Sequence, residues 1–84
     1  AKGIVSVRAL SRGEVNFIVD VNEPVLTRLE IVSLNGQMVW QRSLTPERGR
    51  HTFNESLNLA AGLYLLRMSV PNTPPQTAKF MVVQ

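Results

Sequence analysis

The side chains that could do chemistry are few and widely separated in this sequence. His51 is the only histidine and there is no cysteine, so neither a Cys–His catalytic pair nor a zinc site with histidine and cysteine ligands can be assembled. A lone histidine beside Thr52 and Phe53 is typical of a strand residue on a half-exposed face. We therefore expect no catalytic residue, no enzymatic activity and no cofactor.

The one acidic cluster consists of Asp20, Asn22 and Glu23. A calcium site needs several oxygen ligands held close together. These three residues follow a predicted strand and precede Pro24, and a solvated turn explains them better than a cation site. We expect no bound metal.

Trp40 and Tyr64 each combine a large ring with a polar tip. An exposed Trp40 could stack on a sugar, but a single such residue is better explained by packing in the core or against a neighbouring domain. Tyr64 follows the corner Ala60-Ala61-Gly62 at the start of a predicted strand, as in the tyrosine corner of Greek-key sandwiches. We expect its hydroxyl to bond to the backbone a few residues upstream.

Charge and hydropathy exclude two further classes of function. Nine Lys and Arg against six Asp and Glu give a net charge of +3, but the cations are scattered and form no basic stripe of the kind that binds nucleic acid. No stretch approaches the roughly 20 apolar residues of a membrane span. The start, Ala1-Lys2-Gly3, passes directly into a β-like run without a signal peptide, so we expect the chain to be part of a longer protein.

Short runs of Val, Ile and Leu separated by Gly, Pro and Asn predict an all-β chain. One run alternates clearly, with Val15, Phe17, Val19 and Val21 on one face. The predicted strands are 4–8, 14–21, 25–33, 38–43, 50–54, 63–70 and 77–83. We predict a single domain over residues 1–84 that forms a seven-stranded immunoglobulin-like antiparallel β-sandwich, with an open barrel as the alternative.

Turn residues fix two connections. Ser11-Arg12-Gly13 predicts a turn, and Asn35-Gly36 between two apolar runs predicts a hairpin in which both residues tolerate positive φ. In the strand before that hairpin, Leu29 and Ile31 are predicted to point inward, and Glu30 outward.

Four motifs occur in a characteristic order and spacing. They are residues 13–17, the hairpin 29–39, the glycine-x-tyrosine strand 62–68 and the lysine-containing apolar strand 77–83. Together they resemble a C-terminal sorting domain of the type IX secretion system of Bacteroidetes, over about Gly13 to Gln84.

This resemblance implies that the domain is an address label for an upstream passenger. The passenger would cross the periplasm and reach the outer membrane, the cell surface or the medium. The expected partners are the outer-membrane translocon, shuttle proteins and a sortase. In many members of the family the sortase removes the domain and joins the passenger to lipopolysaccharide, whereas other members keep the domain as a docking module.

We predict that the terminal strand, or an edge beside it, pairs with a partner. The predicted recognition residues are Gly62, Tyr64, Lys79, Phe80, Val82 and Val83, with Asn35 and Gly36 forming the hairpin. Tyr64 and Phe80 are predicted to be scaffold. Lys79 is either a direct contact or a charge that guards the edge against aggregation. Edge strands would also allow two copies to dimerise. The alternative function is a fibronectin-like or carbohydrate-binding accessory module.

Overall fold

Seven strands follow one another along the chain, and each lies within two residues of its predicted bounds at both ends. The computed structural model describes residues 3–10 and 13–83. The strands are β1 (Gly3–Ala9), β2 (Glu14–Val21), β3 (Thr27–Ser33), β4 (Met38–Leu44), β5 (Gly49–Ser56), β6 (Gly62–Ser69) and β7 (Gln76–Val82). Of the predicted turn at Ser11-Arg12-Gly13, the first two residues lie outside the described residues.

The strands form two antiparallel sheets, one of three strands in the order β1-β2-β5 and one of four in the order β4-β3-β6-β7. This arrangement is the predicted immunoglobulin-like β-sandwich, and the two separate sheets replace the open-barrel alternative.

The core lies between the two sheets. The predicted inward face of β2 is fully buried from Val15 to Val21. Phe17 stacks on Phe53 at a centroid distance of 5.0 Å and meets the edge of Trp40 at 5.6 Å, which joins three strands. The four-stranded sheet adds Leu29, Ile31, Tyr64, Leu66, Met68, Phe80 and Val82.

Glu30 differs from the prediction in its burial. It lies on the outer face of β3, as the alternation predicts, but its exposed fraction is only 6%. Its carboxylate is 3.5 Å from the Arg67 guanidinium and 3.9 Å from that of Arg28. Arg67 is the cross-strand neighbour of Glu30. The register of β3 and β6 therefore brings the two charged groups together.

The hairpin between β3 and β4 is closed by two backbone hydrogen bonds around Gly36. The Gly36 N–H donates to the Ser33 carbonyl, and the Ser33 N–H donates to the Gln37 carbonyl, both at 2.9 Å. Gly36 has a φ of 87°, whereas Asn35 is not among the described residues with positive φ. The hairpin predicted at Asn35-Gly36 is present, and of the two residues that tolerate positive φ only Gly36 adopts it. The connection is a three-residue loop in which glycine alone takes the left-handed position.

The strand directions give the sandwich two distinct ends. Gly3 and the connections β2–β3, β4–β5 and β6–β7 lie at one end, which we call the entry end. The connections β1–β2, β3–β4 and β5–β6 and Val83 lie at the other, the terminal end. The longest dimension of the molecule is 37 Å. The first and last described residues are therefore at opposite ends of the sandwich.

Candidate functional site

The terminal strand β7 lies at one edge of the four-stranded sheet, and β6 is the one described strand with which it forms a hydrogen-bonded ladder. The other edge of β7 is covered by β1. The two strands lie side by side but form no hydrogen-bonded ladder. The two strands are joined at their first residues, where the Ile4 N–H donates to Gln76 Oε1 at 3.1 Å. A strand from another molecule could pair with this edge only if β1 moved aside.

The side chains of β7 divide between two faces of the sheet. Phe80 and Val82 are buried, with exposed fractions of 5% and 1%, and they fix the strand to the core. Lys79, Met81 and Val83 point to the opposite, outer face and are exposed. The same strand thus has one face that packs and one that is open to a partner.

Lys79 forms no ion pair with any residue that the structure describes. The four ion pairs of residues 3–10 and 13–83 all use arginines, namely Arg28, Arg42, Arg50 and Arg67. Within that part of the chain no carboxylate lies within ion-pairing distance of Lys79. Its cross-strand neighbour on β6 is Leu65, so the ammonium group stands beside an apolar side chain.

Tyr64 connects the β5–β6 corner to the terminal strand. Its hydroxyl donates to the Ala60 carbonyl at 2.8 Å, the backbone bond predicted for a tyrosine corner. Its ring lies 5.8 Å from that of its cross-strand neighbour Phe80, at an interplanar angle of 22°. Gly62 begins β6 at a φ of 151°. The Tyr64 ring supports β7 from its buried side, and Gly62 is half-buried.

Replacing Tyr64 by Phe is expected to lower the free energy of unfolding by about 1 kcal/mol. The ring keeps its packing against Phe80, but the corner loses one partly buried hydrogen bond. Urea denaturation followed by circular dichroism measures the change. A midpoint equal to that of the unmodified chain would show that the hydroxyl does not stabilise the corner.

The terminal end also bears an apolar surface that sequence reasoning missed. We call it the terminal patch and define it as Leu34, Met38, Leu63, Leu65, Met81 and Val83. The alternation of β6 places Tyr64, Leu66 and Met68 in the core, and this leaves Leu63 and Leu65 half-buried on the outer face. The sequence contained one sign of this surface, because β6 has apolar residues on both of its faces. A strand with one solvated face normally has polar residues on that face.

Residues 11–84 match the model of the secretion system C-terminal sorting domain family. This match covers β2 to β7 and most of the chain. The chain belongs to this family. No curated protein matches it.

Membership gives the chain its function in outline. It is a C-terminal sorting signal of type IX secretion, and the family is not a family of enzymes. Such a domain implies an upstream passenger, an interaction with the secretion machinery and export to the cell surface or the extracellular space. No helix within the described part of the sorting domain is long and apolar enough to cross a membrane.

Two of the polar groups considered for chemistry, His51 and Asp20, have structural partners in the sorting domain. His51 Nε2 lies 2.6 Å from the Glu47 carbonyl oxygen, and the Asp20 carboxylate pairs with Arg50 at 3.3 Å. Among residues 3–10 and 13–83, no three His, Asp or Glu side chains are grouped so that they could hold a metal ion.

Trp40 lies at the margin of the core of the sorting domain. It is half-buried, and its ring meets that of Phe17 at an interplanar angle of 69°. This packing agrees with the core position favoured from the sequence. The ring is not presented as an open platform for a sugar.

Proposed function

We propose that the type IX translocon recognises the sorting domain at the outer face of β7 and thereby directs the upstream passenger to the cell surface. Lys79 is the direct contact. The observation that supports this proposal is an exposed ammonium group, with no carboxylate partner in the described chain, on a strand at the edge of the sheet. An unpaired exposed charge costs nothing to keep in water and is available to a partner.

The other predicted residues have supporting roles in this proposal. Gly62, Tyr64, Phe80 and Val82 hold β7 in place from the inner side. Val83 extends the exposed side by one residue, with an exposed fraction of 72%. Asn35 and Gly36 form the hairpin at the same end of the molecule, beside the contact surface.

Recognition through side chains suits the geometry better than strand addition at β7. Main-chain pairing would require β1 to leave its place beside β7 and the Ile4–Gln76 bond to break. Contact through Lys79 and its neighbours on the outer face requires neither change. We therefore propose that the translocon binds the outer face of β7 through side chains and does not pair with its main chain.

The two ends of the sandwich separate the passenger from the recognition surface. A passenger that precedes Gly3 lies at the entry end, and Lys79, Met81 and Val83 run toward the terminal end. The translocon can then bind the sorting domain without clashing with the passenger. After export, the domain is removed by a sortase or kept as a docking module, and both fates follow the same recognition step.

Reversing the charge of Lys79 is expected to lower surface display of a fused reporter by at least about tenfold. A glutamate there places like charges together where an ammonium group met a carboxylate, which costs several kcal/mol. The reporter is fused before the chain behind an export signal, and its surface fraction is measured in a type IX-secreting bacterium by protease accessibility and antibody labelling.

Arg48→Glu is the matched control for this experiment. Arg48 is exposed, lies at the entry end and forms no ion pair with any described residue. We expect Arg48→Glu and Lys79→Arg to retain display. Retention of the unmodified fusion in the periplasm would refute the sorting function itself. Equal display of Lys79→Glu and the unmodified fusion would refute the role of Lys79.

A further inference from the structure

We propose that the terminal patch is a docking surface for a protein partner whose complementary surface is apolar at its centre and acidic at its border. This inference rests on the proposed function and adds to it the chemistry of the partner. Lys79 lies at the border of the patch and meets the acidic rim, and the apolar residues supply the larger contact area.

Exposed apolar side chains are concentrated at this one place on the described surface. Seven large hydrophobic residues are exposed, and five of them lie at the terminal end of the four-stranded sheet. Four of these five belong to the terminal patch, namely Leu34, Met38, Met81 and Val83, and the fifth, Val39, follows Met38 in β4. Single exposed hydrophobic residues need no explanation, but a contiguous group is a mark of an interaction site.

The register places the strand residues of the patch side by side across four strands, and Leu34 and Val83 directly follow the ends of β3 and β7. Val32 on β3 is opposite Met38 on β4 and Leu65 on β6, and it is buried between them on the outer face. Leu65 is opposite Lys79 on β7, and Leu63 is opposite Met81. Residues that pair across strands share a face of the sheet, so these side chains form one surface.

The outer face of the three-stranded sheet provides the contrast. The β2 and β5 residues that pair there are mostly polar: Glu14 with Ser56, Asn16 with Asn54, Ile18 with Thr52 and Asp20 with Arg50. The three-stranded sheet thus presents an ordinary solvated face, whereas the terminal half of the outer face of the four-stranded sheet is apolar. General surface composition does not account for the terminal patch.

Charge identifies the kind of occupant. Among the described residues, the outer face of the four-stranded sheet holds Arg28, Arg67 and Lys79 against the single carboxylate of Glu30, so three cations and one anion leave a net charge of +2. Two copies of the chain placed face to face would bring these positive charges together. An acidic border on a different protein is attracted by the same charges, and this complementarity selects a protein partner over a second copy.

Acidic substitutions at the patch are expected to reduce surface display of the reporter fusion by at least about tenfold. Met81→Glu and Leu34→Glu each put a carboxylate into the apolar contact and oppose the acidic rim. Both positions are exposed, with exposed fractions of 56% and 66%, so the fold tolerates the change. Met81→Lys loses only the apolar contact, and its display is expected to lie between that of Met81→Glu and that of the unmodified fusion.

Leu26→Glu is the matched control. Leu26 has an exposed fraction of 59% and precedes β3 at the entry end of the same sheet, so it tests a new carboxylate outside the patch. We expect its display within about twofold of the unmodified fusion, and thermal unfolding of every variant is recorded to confirm the fold. Equal display of Met81→Glu, Leu34→Glu and Leu26→Glu would overturn the docking surface and leave the sorting function standing. Periplasmic retention of the unmodified fusion would overturn both proposals.

Two further measurements test whether a second copy of the chain or a membrane surface, and not a different protein, binds the terminal patch. Analytical ultracentrifugation is expected to give a monomer, and a dimer that Met81→Glu dissociates would assign the patch to a second copy. Cosedimentation with phosphatidylglycerol vesicles and with phosphatidylcholine vesicles is expected to show no binding. Binding to the anionic vesicles that Met81→Glu abolishes would assign the patch to a membrane surface. Either finding would overturn the proposal.

Discussion

A chain shortened to residues 1–75 is expected to lose its folded structure along with its sorting signal. The deletion removes β7, whose Phe80 and Val82 are buried and whose Phe80 ring stacks on Tyr64. It also strips β6 of its whole antiparallel partner. Loss of one large buried apolar side chain costs about 2–5 kcal/mol. Two such losses approach the total stability of a domain of this size, about 4–13 kcal/mol at 0.05–0.15 kcal/mol per residue.

Thermal unfolding followed by circular dichroism measures this effect. The shortened chain should show no cooperative transition, whereas a chain that ends at Val82 should unfold much as the full chain does, because Val83 is exposed. A cooperative transition in the 1–75 chain close to that of the full chain would show that β7 is not part of the folding unit. The expected result has a practical consequence: failed export after deletion of β7 does not separate loss of recognition from loss of the fold. Substitutions of exposed residues on the outer face do separate the two effects, because they leave the core intact.

Phe17→Ala is expected to lower the free energy of unfolding by about 3–5 kcal/mol, the usual cost of removing a buried aromatic ring. Phe17 is fully buried in the middle of β2. Its ring lies between Phe53 of β5 and Trp40 of β4, so the cavity would open between the two sheets. Aromatic pairs add about 0.5–1.5 kcal/mol beyond the burial of area, and two such pairs are lost here.

Urea denaturation monitored by circular dichroism tests this value, with Leu26→Ala as the control. Leu26 is exposed, and its truncation should change the free energy of unfolding by less than about 0.5 kcal/mol. A loss below about 1 kcal/mol for Phe17→Ala would mean that the contact between the sheets contributes little to stability.

The strands and their buried faces could be predicted because they depend on local alternation. The pattern of β2 alone identifies its inward residues, and the corner before Tyr64 identifies its hydroxyl bond to Ala60. The hairpin at Gly36 could be predicted from Asn-Gly, but its three-residue loop could not, because Asn-Gly fits several loop lengths and the register of the two strands selects among them.

Features that depend on strand order could not be predicted from the sequence. The burial of Glu30 follows from the placement of Arg67 opposite to it, across a gap of 37 positions in the chain. The position of β1 beside β7 depends on how the two sheets close. At the site, alternation in 77–83 exposes Lys79, but the terminal patch appears only when β4, β3, β6 and β7 are placed side by side.

The central claim is that a folded sorting domain is recognised at the outer face of its terminal strand. Its most direct test is photo-crosslinking during export, with a photoreactive amino acid placed at Met81 or at Leu26 of the reporter fusion. These positions are exposed to nearly the same degree, 56% and 59%, and lie toward opposite ends of one sheet. Crosslinks to an outer-membrane translocon protein from position 81, and not from position 26, are the predicted result. Equal crosslinking from both positions, or crosslinking from position 26 alone, would contradict the claim.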